Sequence, residues 1–259
     1  MAEIITAEHG ADGGHFYKKD GSPAYTVIGK NGKERNTTLR DARTNNLRPS
    51  VTEIIKLAAK LGLENWKAEQ LLMSALTTSR KDGETEAEYI FRIKADAKEQ
   101  SEKARERGTL IHSWVQSGFE GKSLTDEACK YFYSAKDELT TVIGVQEWKC
   151  ELTFATPRYG GKMDLISDKY LIDIKTTDKS LEKPILYDDH FYQLGAYRMG
   201  VWNTIDPTHN IQCGILFVNS QTAEAKLIMA KEEDIVKGYK CFNALVDFYY
   251  AKSSLVFTD

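Results

Sequence analysis

The sequence predicts a mixed α/β domain with an N-terminal helical elaboration. Three observations carry that expectation. From Thr85 to about Gly118, Ile90, Ile93, Ala97, Ala104, Ile111 and Val115 recur at threes, fours and sevens, with KEQSEKARER as a charged outer face. At VQEWKCELTF the apolar period changes to two. Beyond that point short β-prone runs and helical runs alternate: strands within 159–177, a helix over 186–203, strands over 210–219 and 224–230, and a closing helix over 231–252.

Taken in chain order, residues 15–48 read as β and loop, with Asp-Gly and Asn-Gly turn signals between short β-prone pieces. In RPSVTEIIKLAAKLG, Ser50 and Glu53 fit a capping box, Ile54, Leu57, Ala58 and Leu61 form a helical stripe, and Gly62 is the expected stop. Further helices are expected over 64–78 and near 124–139. In the first sheet strand Trp148, Cys150, Leu152 and Phe154 share one face, and Glu147, Lys149, Glu151 and Thr153 share the other. The expected division is a β/loop extension over 1–48, a helical part over 49–140 and a sheet core over 141–259.

Composition narrows the function classes. With 41% hydrophobic and 28% charged residues, the chain has an ordinary globular balance. A net charge of -3 rules out a wholesale basic coating. A nucleic-acid partner would therefore meet a local basic groove or a bound metal. The start MAEIITAEHGADGG lacks the pattern of a secretory signal, and no apolar run approaches a membrane span, so a cytoplasmic location without membrane partners is expected. Cys129, Cys150, Cys213 and Cys241 are far apart with no C-x-x-C pair, which argues for reduced structural thiols and against a zinc ribbon or an iron–sulfur cluster. Gly121-Lys122-Ser123 resembles the end of a P-loop, but Gln116 stands where its first glycine belongs.

The stretch YGGKMDLISDKYLIDIKTT (159–177) carries acids where buried strands hold Val or Ile. If Asp168-Lys169 is a two-residue hairpin loop, Leu165 faces Ile172, Asp164 faces Asp173, and Lys162 faces Lys175. Alternation puts Lys175 on the face of Asp173. Two adjacent carboxylates repel each other, and a hard divalent ion resolves that conflict, with the lysine placed to orient a water or stabilise negative charge.

Gly161-Lys-Met-Asp164, Asp173-Ile-Lys175-Thr-Thr177 and Gln193-x-x-x-Tyr197 resemble the RecB-like branch of the PD-(D/E)XK nucleases. ARERGTLIHSWV (104–115) resembles that branch's helix with a metal-binding histidine, and LRPSVTEII (47–55) resembles the opening segment of its phage-type members and of the mitochondrial genome maintenance exonucleases. The resemblance covers about residues 47–250. It implies a restriction-endonuclease-like core with a mixed central sheet flanked by helices. It also implies a metal-dependent DNA exonuclease acting on free ends in recombination, repair or phage DNA processing. The cofactor would be Mg²⁺, with Mn²⁺ able to substitute, as two ions. Asp164, Asp173, the backbone carbonyl of Ile174 and His112 would hold metal, and Glu151 corresponds loosely to a further acid, with Glu147 competing for that role. Lys175 would assist the attacking water. Gln193 and Tyr197 would position the site. Ser50, Lys162, Thr176 and Thr177 would lie toward the DNA. A phage setting implies a single-strand annealing protein as partner. The competing readings are a catalytically silent DNA-end-binding module and an endonuclease of the same chemistry.

Overall fold

A computed structural model describes residues 14–58, 61–202 and 211–256. The N-terminal extension is short-stranded: β1 (Phe16–Tyr17), β2 (Thr26–Ile28) and β3 (Glu34–Asn36) precede a helix, α1 (Leu39–Thr44), and β4 (Arg48–Pro49). The helix departs from the β-and-loop expectation for 15–48. Thr38 caps it, accepting from Asp41 N, while the Asp41 side chain returns to the Thr38 backbone. β1 pairs with β4, and β2 pairs with β3.

Ser50 caps the next helix, α2 (Val51–Ile55), accepting from Glu53 N at 2.9 Å. The Glu53 carboxylate binds Lys56 instead of the cap, so only half of the expected box is present. α2 stops after five residues, well before Gly62. Gly62 instead lies in the first turn of α3 (Leu61–Thr77). α4 (Glu86–Phe119) begins at the capping box of Thr85 and Glu88 and runs 34 residues, about 50 Å. It packs on α3 near its start and against α5 (Asp126–Ile143) and the sheet near its end. Ile93, Ala97, Ile111 and Val115 are buried; Ala104, in the middle that stands in solvent, is exposed, as is Ile90 in the second turn.

The sheet follows: β5 (Lys149–Ala155), β6 (Gly160–Ile166) and β7 (Tyr170–Thr177), then α6 (Asp188–Trp202), β8 (Gln212–Asn219), β9 (Ala225–Met229) and α7 (Glu232–Ser253). Strand order is β5-β6-β7-β8-β9, antiparallel except for β7 with β8. That parallel pair requires a crossover, which α6 supplies. Both faces are covered. α2, α6 and α7 close one core around Met163, Leu171, Ile215, Leu194 and Phe242. α4 and α5 close the other around Leu165, Ile172, Leu216, Ile111 and Leu139. Cover on both sides explains why β8, QCGILFVN, is apolar without alternation. The fold is therefore a mixed α/β domain with a five-stranded mixed sheet flanked by helices and a helical region before it. No helix among the described residues is long and apolar enough to cross a membrane.

α6 and α7 cross at backbone distance. A side chain at Gly238 would meet the Phe191 carbonyl oxygen at 2.4 Å, an obstacle that no rotamer change removes. Gly238→Ala is expected to lower stability by about 1–3 kcal/mol, the usual cost of overpacking, read as a fall in denaturant midpoint at unchanged slope.

Candidate active site

The sheet opens at the acids. Ser167 N donates to Tyr170 O at 2.9 Å, closing the expected Asp168-Lys169 turn. Leu165 then pairs with Ile172, as the hairpin register requires, and the β6–β7 ladder ends there. Asp164 does not pair directly with Asp173. Its carboxylate turns into the gap, and Oδ2 accepts the Ile174 N–H at 2.7 Å. On the other side the β5–β6 ladder pairs Cys150 with Leu165 and Leu152 with Met163, passing over Glu151 and Asp164.

Glu151 has φ 53°, a left-handed backbone that an acidic residue adopts at a cost. The break turns the chain over. Met163 packs under α6 and α7, while Leu165 packs under α4 and α5. Cys150 and Phe154 are likewise split between the two cores, and Leu152 is 39% exposed, so the single apolar face expected for this strand does not form. Uninterrupted alternation would have kept each pair on one side.

Asp173 and Lys175 share the face of β7 that looks toward α6. Lys175 Nζ lies 2.6 Å from Asp173 Oδ2 and donates to Gln193 Oε1 at 3.0 Å. Gln193 Nε2 donates to Asp173 Oδ1 at 2.7 Å and to the Tyr197 hydroxyl at 3.0 Å. One amide therefore holds the acid, the amine and the phenol together, as residues i and i+4 on one helix face can. Asp173 is 2% exposed, and its Oδ2 touches Lys175 but accepts no well-aligned hydrogen bond. Gly161 makes room for the network, because a side chain there would meet the Tyr197 ring at 2.8 Å and Phe154 at 2.7 Å.

α4 delivers His112 from the opposite face, with Nε2 2.9 Å from Asp164 Oδ2. Donor atoms of His112, Glu151 and Asp164 all lie within 4.8 Å of one another. One imidazole nitrogen and two carboxylate oxygens suit a divalent cation such as Mg²⁺ or Mn²⁺ that fills its shell with water. The strained backbone at Glu151 fits an arrangement built around a cation. The acid with the weakest motif support, Glu151, thus joins the group, whereas Glu147 is exposed. Asp173 stands beside the three donors rather than among them.

Electrostatics separates the acids. Burial pushes Asp173 up to about 6, opposed by Lys175 and reinforced by Asp164. Burial also pushes Asp164 up, but His112, Lys175 and the Ile174 N–H outweigh it and leave Asp164 below its ordinary value. Burial pulls His112 and Lys175 down, yet the neighbouring carboxylates leave both raised. Lys175 is therefore an ammonium at neutral pH. For Asp173 the folded state binds the proton more tightly than the unfolded chain, so its contribution to stability falls as pH rises from about 4 through about 6. In EDTA, the difference in melting temperature between wild type and Asp173→Asn should grow in favour of the variant across that interval. A difference that is flat or reversed would contradict the assignment.

Lys162 does not face Lys175. The strands have parted, and its amine contacts the Glu151 carboxylate. Ser50 is 2% exposed and engaged as the α2 cap. Thr176 lies against α4 at Gly108, and the Thr177 hydroxyl accepts from Lys179 N at 3.2 Å. The sequence reading did not anticipate the N-terminal extension here. The Tyr17 ring sits against Gly160 at the start of β6, and its hydroxyl is 2.6 Å from that of Tyr25. No local pattern signals a contact across more than a hundred residues.

Comparison by sequence finds no matching protein family and no matching curated protein. By structure, the chain is similar to a protein from Eubacterium rectale whose exonuclease designation is provisional, at 15% identity over 59% of this chain and 70% of that one, with a TM-score of 0.39. It is also similar to an alkaline exonuclease from Laribacter hongkongensis, at 11% identity over 80% of this chain and 93% of that one, with a TM-score of 0.36. At TM-scores below 0.5 neither likeness decides function. What the chain itself offers is a candidate metal site of one histidine and two acids beside a buried Asp–Lys–Gln–Tyr network.

Proposed function

We propose that residues 49–259 form a metal-dependent deoxyribonuclease of the RecB-like PD-(D/E)XK type that hydrolyses phosphodiester bonds from DNA ends, in recombination, repair or phage DNA processing. One observation carries the reading: where the sheet opens, His112, Glu151 and Asp164 converge beside the buried Asp173–Lys175 pair. His112, Glu151 and Asp164 would hold a divalent cation. The resemblance to the family adds a second ion against Asp164, Asp173 and the Ile174 carbonyl. Bound there, Mg²⁺ or Mn²⁺ supplies an acidified water and neutralises charge on the phosphoryl oxygens.

The protein's own groups do the rest. Lys175, held as an ammonium by Asp173 and Gln193, is a hydrogen-bond donor. It cannot take the proton of water, and so orients the attacking water or stabilises the charge that develops on phosphate. Gln193 keeps acid and amine in register, and Tyr197 braces Gln193 from one turn further along α6. Thr176 and Thr177 continue the same strand toward the DNA backbone. A single-strand annealing protein is the partner this reading implies.

End-labelled linear duplex, linear single strand and closed circular DNA, each with Mg²⁺, Mn²⁺ or EDTA, test the proposal. Loss of nucleotides from linear ends with either metal, intact circles and silence in EDTA are expected. Cut circles would make the protein an endonuclease. Binding without hydrolysis under every condition would leave a DNA-end-binding module.

A further inference from the structure

Three basic side chains face the acids, and they are not equivalent. His112 is itself a metal donor, and Lys175 is fixed between Asp173 and Gln193. Lys162 differs. Among the described residues its one ion-pair partner is Glu151, also a member of the three-donor group. Its side chain, a flexible four-carbon stem, is 39% exposed, while that of Glu151 is only 18% exposed. The hairpin register would have set Lys162 opposite Lys175, and the parting of β6 from β7 instead delivers it to the acid across β5.

We propose that Lys162 is a displaceable internal counter-ion: it occupies Glu151 in the metal-free protein and is released to a DNA phosphate when a divalent cation takes Glu151. The inference rests on the nuclease reading above and deepens it. A divalent cation on the glutamate weakens its hold on the amine, since two positive groups on one carboxylate repel each other. The partly exposed Lys162 stem, unlike Lys175, has no second partner among the described residues to keep it there. A half-buried ammonium that loses its acid gains by meeting another anion, and the anion that arrives at a nuclease site is phosphate. Metal and DNA then strengthen each other's binding through this one side chain, and by linkage the effect is reciprocal. Without metal, the pairing withholds a positive charge from DNA, so the idle protein binds ends weakly.

The test is a double-mutant cycle on DNA binding, read by anisotropy of an end-labelled duplex in EDTA and in Ca²⁺, with circular dichroism on every variant. In EDTA, Glu151→Gln should bind DNA about 5- to 10-fold more tightly than wild type, because the amine is freed. That gain should vanish in the Lys162→Met background, whereas the loss of one negative charge alone would act equally in both backgrounds. The strengthening of wild-type binding by Ca²⁺ should shrink in Lys162→Met and be partly kept in Lys162→Arg. Without DNA, Lys162→Met should bind Mn²⁺ more tightly by calorimetry. A Glu151→Gln gain of equal size in both backgrounds overturns the inference and leaves the nuclease reading standing. Wild-type protein that binds no DNA with any metal overturns both.

Discussion

Asp173→Asn should abolish hydrolysis of DNA ends, by about 10³-fold or more in single-turnover rate, while the protein stays folded. The substitution keeps side-chain volume at a site only 2% exposed, so packing is preserved. It removes the charge that holds the Lys175 ammonium at 2.6 Å, and it gives Gln193 Nε2 an amide where it had a carboxylate. Both the orientation of the amine and the negative charge beside the three-donor group are lost together. Folding should survive because the ionised acid is itself disfavoured by burial, which is why its pKa is raised to about 6. Circular dichroism and a melting curve in EDTA report the fold, and a quenched-flow assay with Mg²⁺ reports the rate. A variant within tenfold of wild type would remove Asp173 from the chemistry. Asp164→Asn should be equally inactive for a different reason. It removes a donor from the His112–Glu151–Asp164 group, so any melting-temperature gain with Mn²⁺ should disappear.

Glu232→Ala should lower stability by about 2–4 kcal/mol, a loss unrelated to the candidate site. Arg198 is 1% exposed on α6, and its guanidinium makes two bonds of 2.7 Å to the Glu232 carboxylate in the first turn of α7, with a third of 3.3 Å to Ile211 O. Among the described residues, truncating the acid leaves a buried cation with one weak carbonyl contact. Because Glu232 is 39% exposed, water recovers part of the loss, which places the expected value toward the lower end of the range for buried pairs. The fall in melting temperature should be roughly 5–10 °C. Arg198→Met combined with Glu232→Leu should restore most of the stability, since an apolar pair of similar volume carries no desolvation penalty. If Glu232→Ala melts like wild type, the pair is not a structural tie.

The residues differ in how far they were legible. Element types from Thr85 onward could be read because their signals are local. Thr85 with Glu88 starts α4, period two marks the sheet strands, and Asp168-Lys169 between β-prone runs marks a hairpin. The short helix α1 was missed although Thr38 and Asp41 carry a capping signal, because the turn-rich segment around it reads as loop. The end of α2 was misplaced because Gly62, a plausible stop, lies inside the first turn of α3.

By itself, then, the sequence determined the order of helices and strands, the hairpin register at Leu165 and Ile172, and the sharing of one helix face by Gln193 and Tyr197. Each follows from spacing within a few residues. Only the tertiary structure decided that Asp164 leaves the ladder to take the Ile174 N–H, that Glu151 rather than Glu147 meets His112, and that Lys162 turns from Lys175 to Glu151. Periodicity rules assume an unbroken strand. Here β6 is loosened from both neighbours where charged side chains compete with backbone pairing, and the outcome of that competition depends on groups brought in by α4 and β5 from far along the chain.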